Sequence, residues 1–307
     1  MRKDTLKMAN KRIVMCTSTG CIDYAGEEYK KYNVDIIRLH VYFNGHDYRE
    51  GYDLDPNKFY SELETLEDPK NNLPKTGMPL DEDIRSHFEK AIENGYDEAI
   101  VISLSSYLSG CYNRIEQIAK DFEGKLKITV VDTKINSFNE GFIAIRTAQL
   151  VEAGVPTETI LKEIAWIMKT QEFFGVDGEL DYLIYNGRLK GGKAFMGKML
   201  GICPVVGFDR EGVLGSIESV RTKKKALTRA CEILKEKIGD RSPEDYLLWH
   251  VHTGTSLMPM LESIEEQFGI KTNHHPVIMS PVSGCHNGPC FAGYGLVFLR
   301  RDDEPLE

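Results

Sequence analysis

A run of hydroxyl side chains follows an apolar segment, residues 100–103, that is typical of a buried strand. Ser105, Ser106 and Ser109 lie in this run, and a helical pattern begins just after it. At the carboxyl end of a strand in an open α/β sheet, such residues face the crevice where ligands bind. Serine hydroxyls and the free N–H groups of a helix start can hold an anionic oxygen without a cation. Ser109 is equally suited to capping the helix that follows.

Three other segments place polar residues among turn formers. Thr76 begins the stretch TGMP, Arg188 lies in a glycine-rich stretch, and His286 lies in SGCHNGP. Clusters of Gly, Asn and Pro are typical of turns, so His286 is predicted in a turn just before a last apolar strand.

Taken in their order along the chain, these four segments resemble the DegV family of bacterial fatty-acid-binding proteins. The family patterns read roughly TDS, TSQPS, SSxLSGTY, GGR-I, an LNIKP-like segment and G-x-H-x-G-P. They correspond here to residues 17–19, 76–80, 105–112, 186–189, 200–204 and 284–289. The resemblance covers nearly the whole chain, and it rests on order and spacing rather than on one short motif.

The chain also departs from these patterns, although Thr76, Ser109, Arg188 and His286 are all retained. The first pattern lacks its acidic residue, because Thr17 precedes Ser18. The residues that differ from the family patterns are Thr17, Gly77, Cys111, Asn186 and Cys290. These departures bear on backbone detail and ligand preference more than on the basic activity.

The resemblance implies a non-catalytic carrier similar to the fatty-acid kinase B subunit, with a long-chain fatty acid as ligand and no metal or other cofactor. The acid would lie with its carboxylate in an interdomain crevice, and a separate kinase subunit would phosphorylate it with ATP. Thr76 and Ser109 would hold the carboxylate. Ser18, Arg188 and His286 would flank it, because Arg and His can meet the added phosphoryl charge.

An acyl chain needs an apolar tunnel, since each buried methylene contributes about 0.8 kcal/mol. The segment after Gly191 carries large apolar residues that suit such a tunnel and that suit an ordinary core equally well. The candidates are Phe195, Met196, Met199, Leu200 and Ile202.

Composition excludes several classes of partner. The net charge of −9 argues against nucleic-acid binding, which needs clustered Lys and Arg. The basic residues at 221–225 are read as a solvated helix face or a protein-docking site. No stretch approaches the ~18 to 20 apolar residues of a membrane span, and the charged N-terminus does not resemble a signal peptide. Seven cysteines without a C-x-x-C pair indicate reduced thiols and a cytoplasmic location.

Alternating strand and helix signals predict two α/β domains, residues 10–155 and 156–307. The first is expected to be Rossmann-like, a parallel sheet with helices on both faces. The second is expected to be a mixed α+β sheet with helices on one face. Residues 35–43 are predicted to form one long strand. A hairpin turn is predicted at Asn44 and Gly45, and a helix start at Asp55.

Other chemistries remain open alternatives at this point. The histidines at 250, 252, 274 and 275 have no third ligand at metal-binding spacing, so packing is favoured. Cys285 beside His286 is a weak candidate for a thiol nucleophile. An acyl or phosphoryl transferase with His286 as acid–base lacks a Walker A loop, an Asp cluster and a nucleophile elbow. A pocket for another small carboxylate or phosphate would differ by its shorter length.

Overall fold

The structure is a computed structural model that describes residues 11–191, 202–254 and 256–300. Its strands, in chain order, are β1 (Arg12–Thr17), β2 (Val34–Ile37), β3 (His40–Phe43), β4 (His46–Arg49), β5 (Lys75–Gly77), β6 (Glu98–Ser103), β7 (Lys127–Asp132), β8 (Glu172–Asp177), β9 (Cys203–Phe208), β10 (Leu214–Val220), β11 (Tyr246–His252), β12 (Val277–Ile278) and β13 (Phe291–Phe298).

The α-helices of the described residues alternate with these strands through the first half of the chain. They are α1 (Glu27–Lys30), α2 (Pro56–Glu64), α3 (Pro69–Asn72), α4 (Asp81–Glu93), α5 (Cys111–Ala119), α6 (Ser137–Glu152), α7 (Thr157–Thr170), α8 (Asp181–Tyr185), α9 (Lys223–Ile238), α10 (Met258–Phe268) and α11 (Pro281–Asn287). Within the described residues, no helix is long and apolar enough to span a membrane.

The first sheet is parallel, in the order β2–β1–β6–β7. Its inner strand β6 is buried along its whole length, as expected of a parallel sheet covered on both faces. Helices α4 and α5 pack on one face through Phe88 and Ile115, and α6 packs on the other through Phe138. The prediction of a Rossmann-like layer is confirmed.

The long strand predicted at residues 35–43 is wrong, because the chain leaves the parallel sheet at Arg38. The Arg38 guanidinium donates to the Asp23 carboxylate at 2.6 Å and to the Glu50 carbonyl at 2.9 Å. The Leu39 N–H donates to the Ser18 hydroxyl at 3.1 Å instead of continuing the ladder. As a result β3 belongs to a separate antiparallel sheet, ordered β4–β3–β5.

The local signals around this small sheet are confirmed. Asn44 and Gly45 have φ of 51° and 77°, which is the left-handed conformation that a tight hairpin needs. The Asp55 carboxylate accepts a hydrogen bond from the Lys58 N–H at 2.9 Å and so caps α2.

The third sheet has six strands in the order β10–β9–β8–β13–β11–β12. It is antiparallel except for the β11–β12 pair, so the predicted mixed sheet is confirmed. Helices α9 and α10 cover one face, where Leu227 and Leu261 pack. The expectation of helices on one face is wrong, because α6 and α7 cover the other face.

Helix α6 lies between the two large sheets. Its Phe138 ring lies 5.2 Å from the Trp249 ring of β11, edge to face. Near the other end of the chain, α11 packs against α2 and β3, and the Tyr60 hydroxyl donates to the Met279 carbonyl at 2.8 Å. The domain boundary near residue 155 stays a prediction, and each half of the chain contributes to the core of the other.

Candidate functional site

A cavity of about 300 Å³ lies at the carboxyl ends of β1 and β6, against α11. This is where ligands bind in open α/β sheets. Apolar side chains form much of its wall, namely Leu39, Met78, Leu104, Leu108, Leu183, Leu214 and Val282. The rest of the wall consists of two sets of polar side chains, one partly accessible to solvent and one buried.

The accessible polar set, which we call the mouth residues, consists of Thr76, Ser109, Arg188 and His286. They come from four separate segments of the chain, on β5, before α5, after α8 and on α11. The Thr76 hydroxyl lies 3.1 Å from Nε2 of His286, although the two residues are 210 positions apart. The structure therefore brings together the four residues that the sequence selected.

His286 lies in helix α11, so its predicted position in a turn is wrong. Ser280 caps this helix by accepting from the Ser283 N–H at 3.2 Å, and Pro281 occupies its first position. Gly284, which suggested a turn, is needed inside the helix because a β-carbon there would overlap the ring and hydroxyl of Tyr60. The helix fixes the imidazole in the cavity wall.

The imidazole of His286 is neutral at physiological pH. Burial lowers its pKa to about 3, and the nearby Arg188 charge lowers it in the same direction. Its Nδ1 atom is buried and has no hydrogen-bond partner among the described residues. A neutral ring keeps one N–H donor for a ligand or for Thr76.

Ser109 lies one residue before Gly110, which is the N-cap residue of α5. Its oxygen accepts from the Cys111 N–H at 3.2 Å, so Ser109 forms a local turn ahead of the helix rather than the predicted helix cap. Its own proton is not used in that bond, so it can donate to a ligand oxygen in the cavity. Ser105, by contrast, donates to the Gly212 carbonyl at 2.7 Å.

Arg188 carries the positive charge of the mouth. Its guanidinium donates to the carbonyls of Leu108 at 3.2 Å and Asn186 at 2.7 Å. No carboxylate pairs with it in the part of the chain that the structure describes. These carbonyl contacts orient the guanidinium while its charge stays available to an anion.

The buried polar set, which we call the floor residues, was not found from the sequence. It consists of Thr19, Asn136, Ser283 and Asn287, each less than a tenth exposed. The Asn136 Nδ2 donates to the Ser283 hydroxyl at 3.2 Å, and Asn136 Oδ1 has no partner among the described residues. The cavity is therefore polar at its floor as well as at its mouth.

Glu140 on α6 lies behind the floor and is fully buried. Its carboxyl group accepts from the hydroxyls of Thr17 and Thr19, the latter at 2.8 Å. Burial raises the pKa of Glu140 to about 8, and the hydrogen bonds from the threonines oppose this only in part. Thr17 stands where the family pattern has an acid, and its hydroxyl contacts the Glu140 carboxyl group.

The remaining predicted site residues lie elsewhere. Ser18 is buried, its hydroxyl accepts from Leu39, and it does not line the cavity. Ile202 lines a different cleft, with Asp177 and Arg221. The four other tunnel candidates fall outside the described residues, and they are Phe195, Met196, Met199 and Leu200.

The alternative chemistries receive no support from the geometry. In the described ranges no group of three or more potential metal ligands occurs. His250 instead contacts the Glu265 carboxylate at 2.8 Å, and His274 contacts the Tyr29 hydroxyl. Cys285 is fully buried, and burial raises the pKa of its thiol, so it is not an activated nucleophile.

Comparison with known proteins identifies the family of this chain. A sequence model of the DegV family, described as uncharacterised proteins, matches residues 13–299. The chain belongs to the DegV family. It is 29% identical to a DegV domain-containing protein of Clostridium acetobutylicum over 286 residues, which covers 93% of this chain and 99% of that protein. The family resemblance seen in the sequence is thereby confirmed.

Solved DegV family structures share the fold. A fatty-acid-binding DegV family protein from Streptococcus agalactiae superposes with a TM-score of 0.83 at 25% identity, covering 95% of this chain and 100% of that one. A stearic-acid-binding protein from Eubacterium ventriosum superposes with a TM-score of 0.78 at 25% identity, covering 93% and 97%. The predicted two-part α/β fold is confirmed by these similarities.

Proposed function

We propose that this DegV family protein binds a long-chain fatty acid in its cavity and presents the carboxylate to a separate fatty-acid kinase. The observation that carries the proposal is the convergence of the mouth residues, from four distant segments, on one partly apolar cavity. Solved DegV family proteins of the same fold are fatty-acid binders. All seven cysteines are buried and form no disulfide within the described residues, which suits a cytoplasmic carrier.

The acyl chain accounts for most of the proposed affinity. Leucines of the cavity wall give the chain apolar contacts, and each buried methylene contributes about 0.8 kcal/mol. The head group then needs hydrogen-bond donors rather than a strong charge. The free proton of the Ser109 hydroxyl and the hydroxyl of Thr76 supply them, and a proton on His286 Nε2 directs the Thr76 proton toward the ligand.

The arrangement suits a carrier better than a transferase. At pH 7 a histidine with a pKa of about 3 is a weak general base, because it holds an abstracted proton poorly. Arg188 has charge available for the phosphoryl group that a kinase would add to the carboxylate. We therefore assign Arg188 and His286 to the phosphorylation step, and Thr76 and Ser109 to binding.

Lipid extraction of the purified protein tests the binding proposal. We expect a near-stoichiometric long-chain acid, and Ser109→Ala should weaken binding by about 1–3 kcal/mol, the usual cost of leaving a buried acceptor without a donor. Protein that contains no acid and does not bind added palmitate or oleate would show that the proposal is wrong.

A second assay tests the kinase step. Arg188→Ala and His286→Ala should keep fatty-acid affinity within about tenfold, or ~1.4 kcal/mol. With a cognate kinase and ATP, both variants should form far less acyl phosphate than the unaltered protein. Equal losses in binding and turnover would assign these residues to binding instead. ATP consumption by the protein alone would favour the transferase.

A further inference from the structure

The floor of the cavity has a buried amide with an unused hydrogen-bonding group. Asn136 is 7% exposed and lines the cavity, and its Oδ1 has no partner in the described part of the chain. Buried polar atoms in folded proteins nearly always have a partner, either in the protein, in ordered water or in a ligand. A partner is therefore expected inside the cavity.

The neighbours of Asn136 limit what that partner is. The side-chain amide has two orientations, in which either Oδ1 or the NH₂ group remains free once the other end contacts Ser283. Thr19 commits its proton to Glu140 at 2.8 Å, so that its oxygen can only accept from a ligand. The Ser283 hydroxyl accepts from Asn136 and from Ser280, so its own proton is unused. With Oδ1 of Asn136 facing the cavity, a ligand hydroxyl can accept from Ser283 and donate to Oδ1. With the amide turned, the same hydroxyl can accept from the NH₂ group and donate to Thr19.

Charge separates the floor from the mouth. Arg188 is the one Lys or Arg among the described residues of the cavity wall, and it belongs to the mouth. Behind the floor lies the carboxyl group of Glu140, with Glu50 as a further acidic neighbour. An anionic group at the floor would be buried without a cation among the described residues of that part of the wall, so a neutral polar group fits better.

We propose that the floor residues bind a hydroxyl group carried by the acyl chain close to its carboxyl end. The inference rests on the proposed fatty-acid function and names a class of acid, the hydroxy fatty acids. Ser283 and His286 are three residues apart on α11, so their side chains are neighbours about 5–6 Å apart at Cβ. With the carboxylate at the mouth, a hydroxyl a few carbons along the chain reaches the floor.

A binding comparison tests this. The probes are a plain saturated acid, the same acid hydroxylated on the second or third carbon from the carboxyl carbon, and the same acid hydroxylated near its methyl end. The delipidated protein should bind the second at least about fivefold more tightly than either of the others. Asn136→Ala and Ser283→Ala should each abolish that preference and leave plain-acid affinity within about twofold.

Asn139→Ala is the matched control. Asn139 is a fully buried amide on α6, one helical turn from Asn136, and it does not line the cavity. Its loss should lower the melting temperature and leave the preference intact. A circular dichroism melt of every variant separates folding defects from lost recognition, and Ser283→Ala tests the site if Asn136→Ala does not fold.

Two results would overturn the inference, and they differ from each other. Tight binding of all three acids with equal affinity, with an ordered water on Asn136 in a crystal structure, would remove the hydroxyl site and leave the fatty-acid carrier standing. Binding of none of the acids would remove the carrier proposal itself, and the hydroxyl site with it.

Discussion

The mouth and the floor of the cavity are built from similar polar side chains in different electrostatic settings. At the mouth, Thr76 and Ser109 lie beside the available charge of Arg188 and a neutral His286. At the floor, Asn136 and its neighbours lie in front of the buried Glu140.

The difference shows that side-chain type alone does not decide what a polar site holds. Hydroxyl groups that can donate beside a cation suit an anion. At the floor, the Thr19 proton is committed to a buried carboxyl group and no cation lies among the described residues, which suits a neutral group. This contrast supports the two proposals, a carboxylate at the mouth and an uncharged group at the floor.

The largest effect is expected from Glu140→Gln, which removes the acid behind the floor. The native pKa of about 8 exceeds the unfolded value of 4.5, so the native protein binds more protons between these values, and its stability falls as pH rises through this range. The slope approaches ~1.4 kcal/mol per pH unit and should vanish in the variant.

Urea unfolding of both proteins from pH 5 to pH 9 measures this difference. Glu82→Gln makes the same chemical change at an exposed position and controls for the loss of one carboxyl group. A constant difference in unfolding free energy between Glu140→Gln and the unaltered protein over this range would mean that Glu140 is ionised in the folded state.

Gly141→Ala should separate Glu140 from the loop that carries Thr19. A β-carbon at residue 141 would overlap the carbonyl oxygen of Gly20, which is backbone and cannot turn away. We expect a loss of about 3 kcal/mol in unfolding free energy, at the upper end of overpacking effects. Gly215→Ala, where the added carbon would make only an ordinary contact with Cβ of Lys190 at 3.9 Å, should change it by less than about 0.5 kcal/mol.

At the mouth, Thr76→Val should weaken fatty-acid binding by about 1–2 kcal/mol, because one donor to the carboxylate is lost while the shape is kept. Isothermal titration with palmitate measures the change. Thr228→Val, on the outer side of α9, should bind palmitate normally. If both variants bind equally well, Thr76 does not contact the carboxylate.

The smallest effect concerns the His286 imidazole. Because its pKa is about 3, its ring should not titrate between pH 5 and pH 8. The NMR signal of its Cε1 proton should therefore stay fixed over this range in the ligand-free protein. A titration step near 6.5, the ordinary pKa of histidine, would show that the ring is solvated. It would also weaken the electrostatic contrast between mouth and floor.

Local signals were sufficient to predict the parallel sheet, the hairpin at Asn44 and the start of α2. The mouth residues were found because each lies in a segment with its own pattern. The start of α11 was also readable, since Ser280 and Pro281 are typical of a helix N-terminus. The glycines that follow predict a turn from the sequence alone, since nothing in the sequence shows that the Tyr60 ring packs against Gly284.

The strand break and the floor residues could not be predicted, because they depend on contacts between residues that are distant in the sequence. The strand break at Arg38 follows from its ion pair with Asp23 and the Leu39 bond to Ser18. The floor depends on Glu140 meeting Thr19, 121 residues away. The sequence offers one indication of the floor, which is a Glu within the otherwise largely apolar α6. Charged residues are rarely buried without a partner.

The position of α11 has a consequence for the order in which the protein matures. Domains generally begin to fold from the N-terminal side as the ribosome elongates the chain. The first half cannot finish its core until Val282 and Cys285 arrive, and the mouth lacks His286 until then. A nascent chain with fewer than 287 residues therefore has no complete cavity, so the proposed binding of a fatty acid would follow synthesis of this helix.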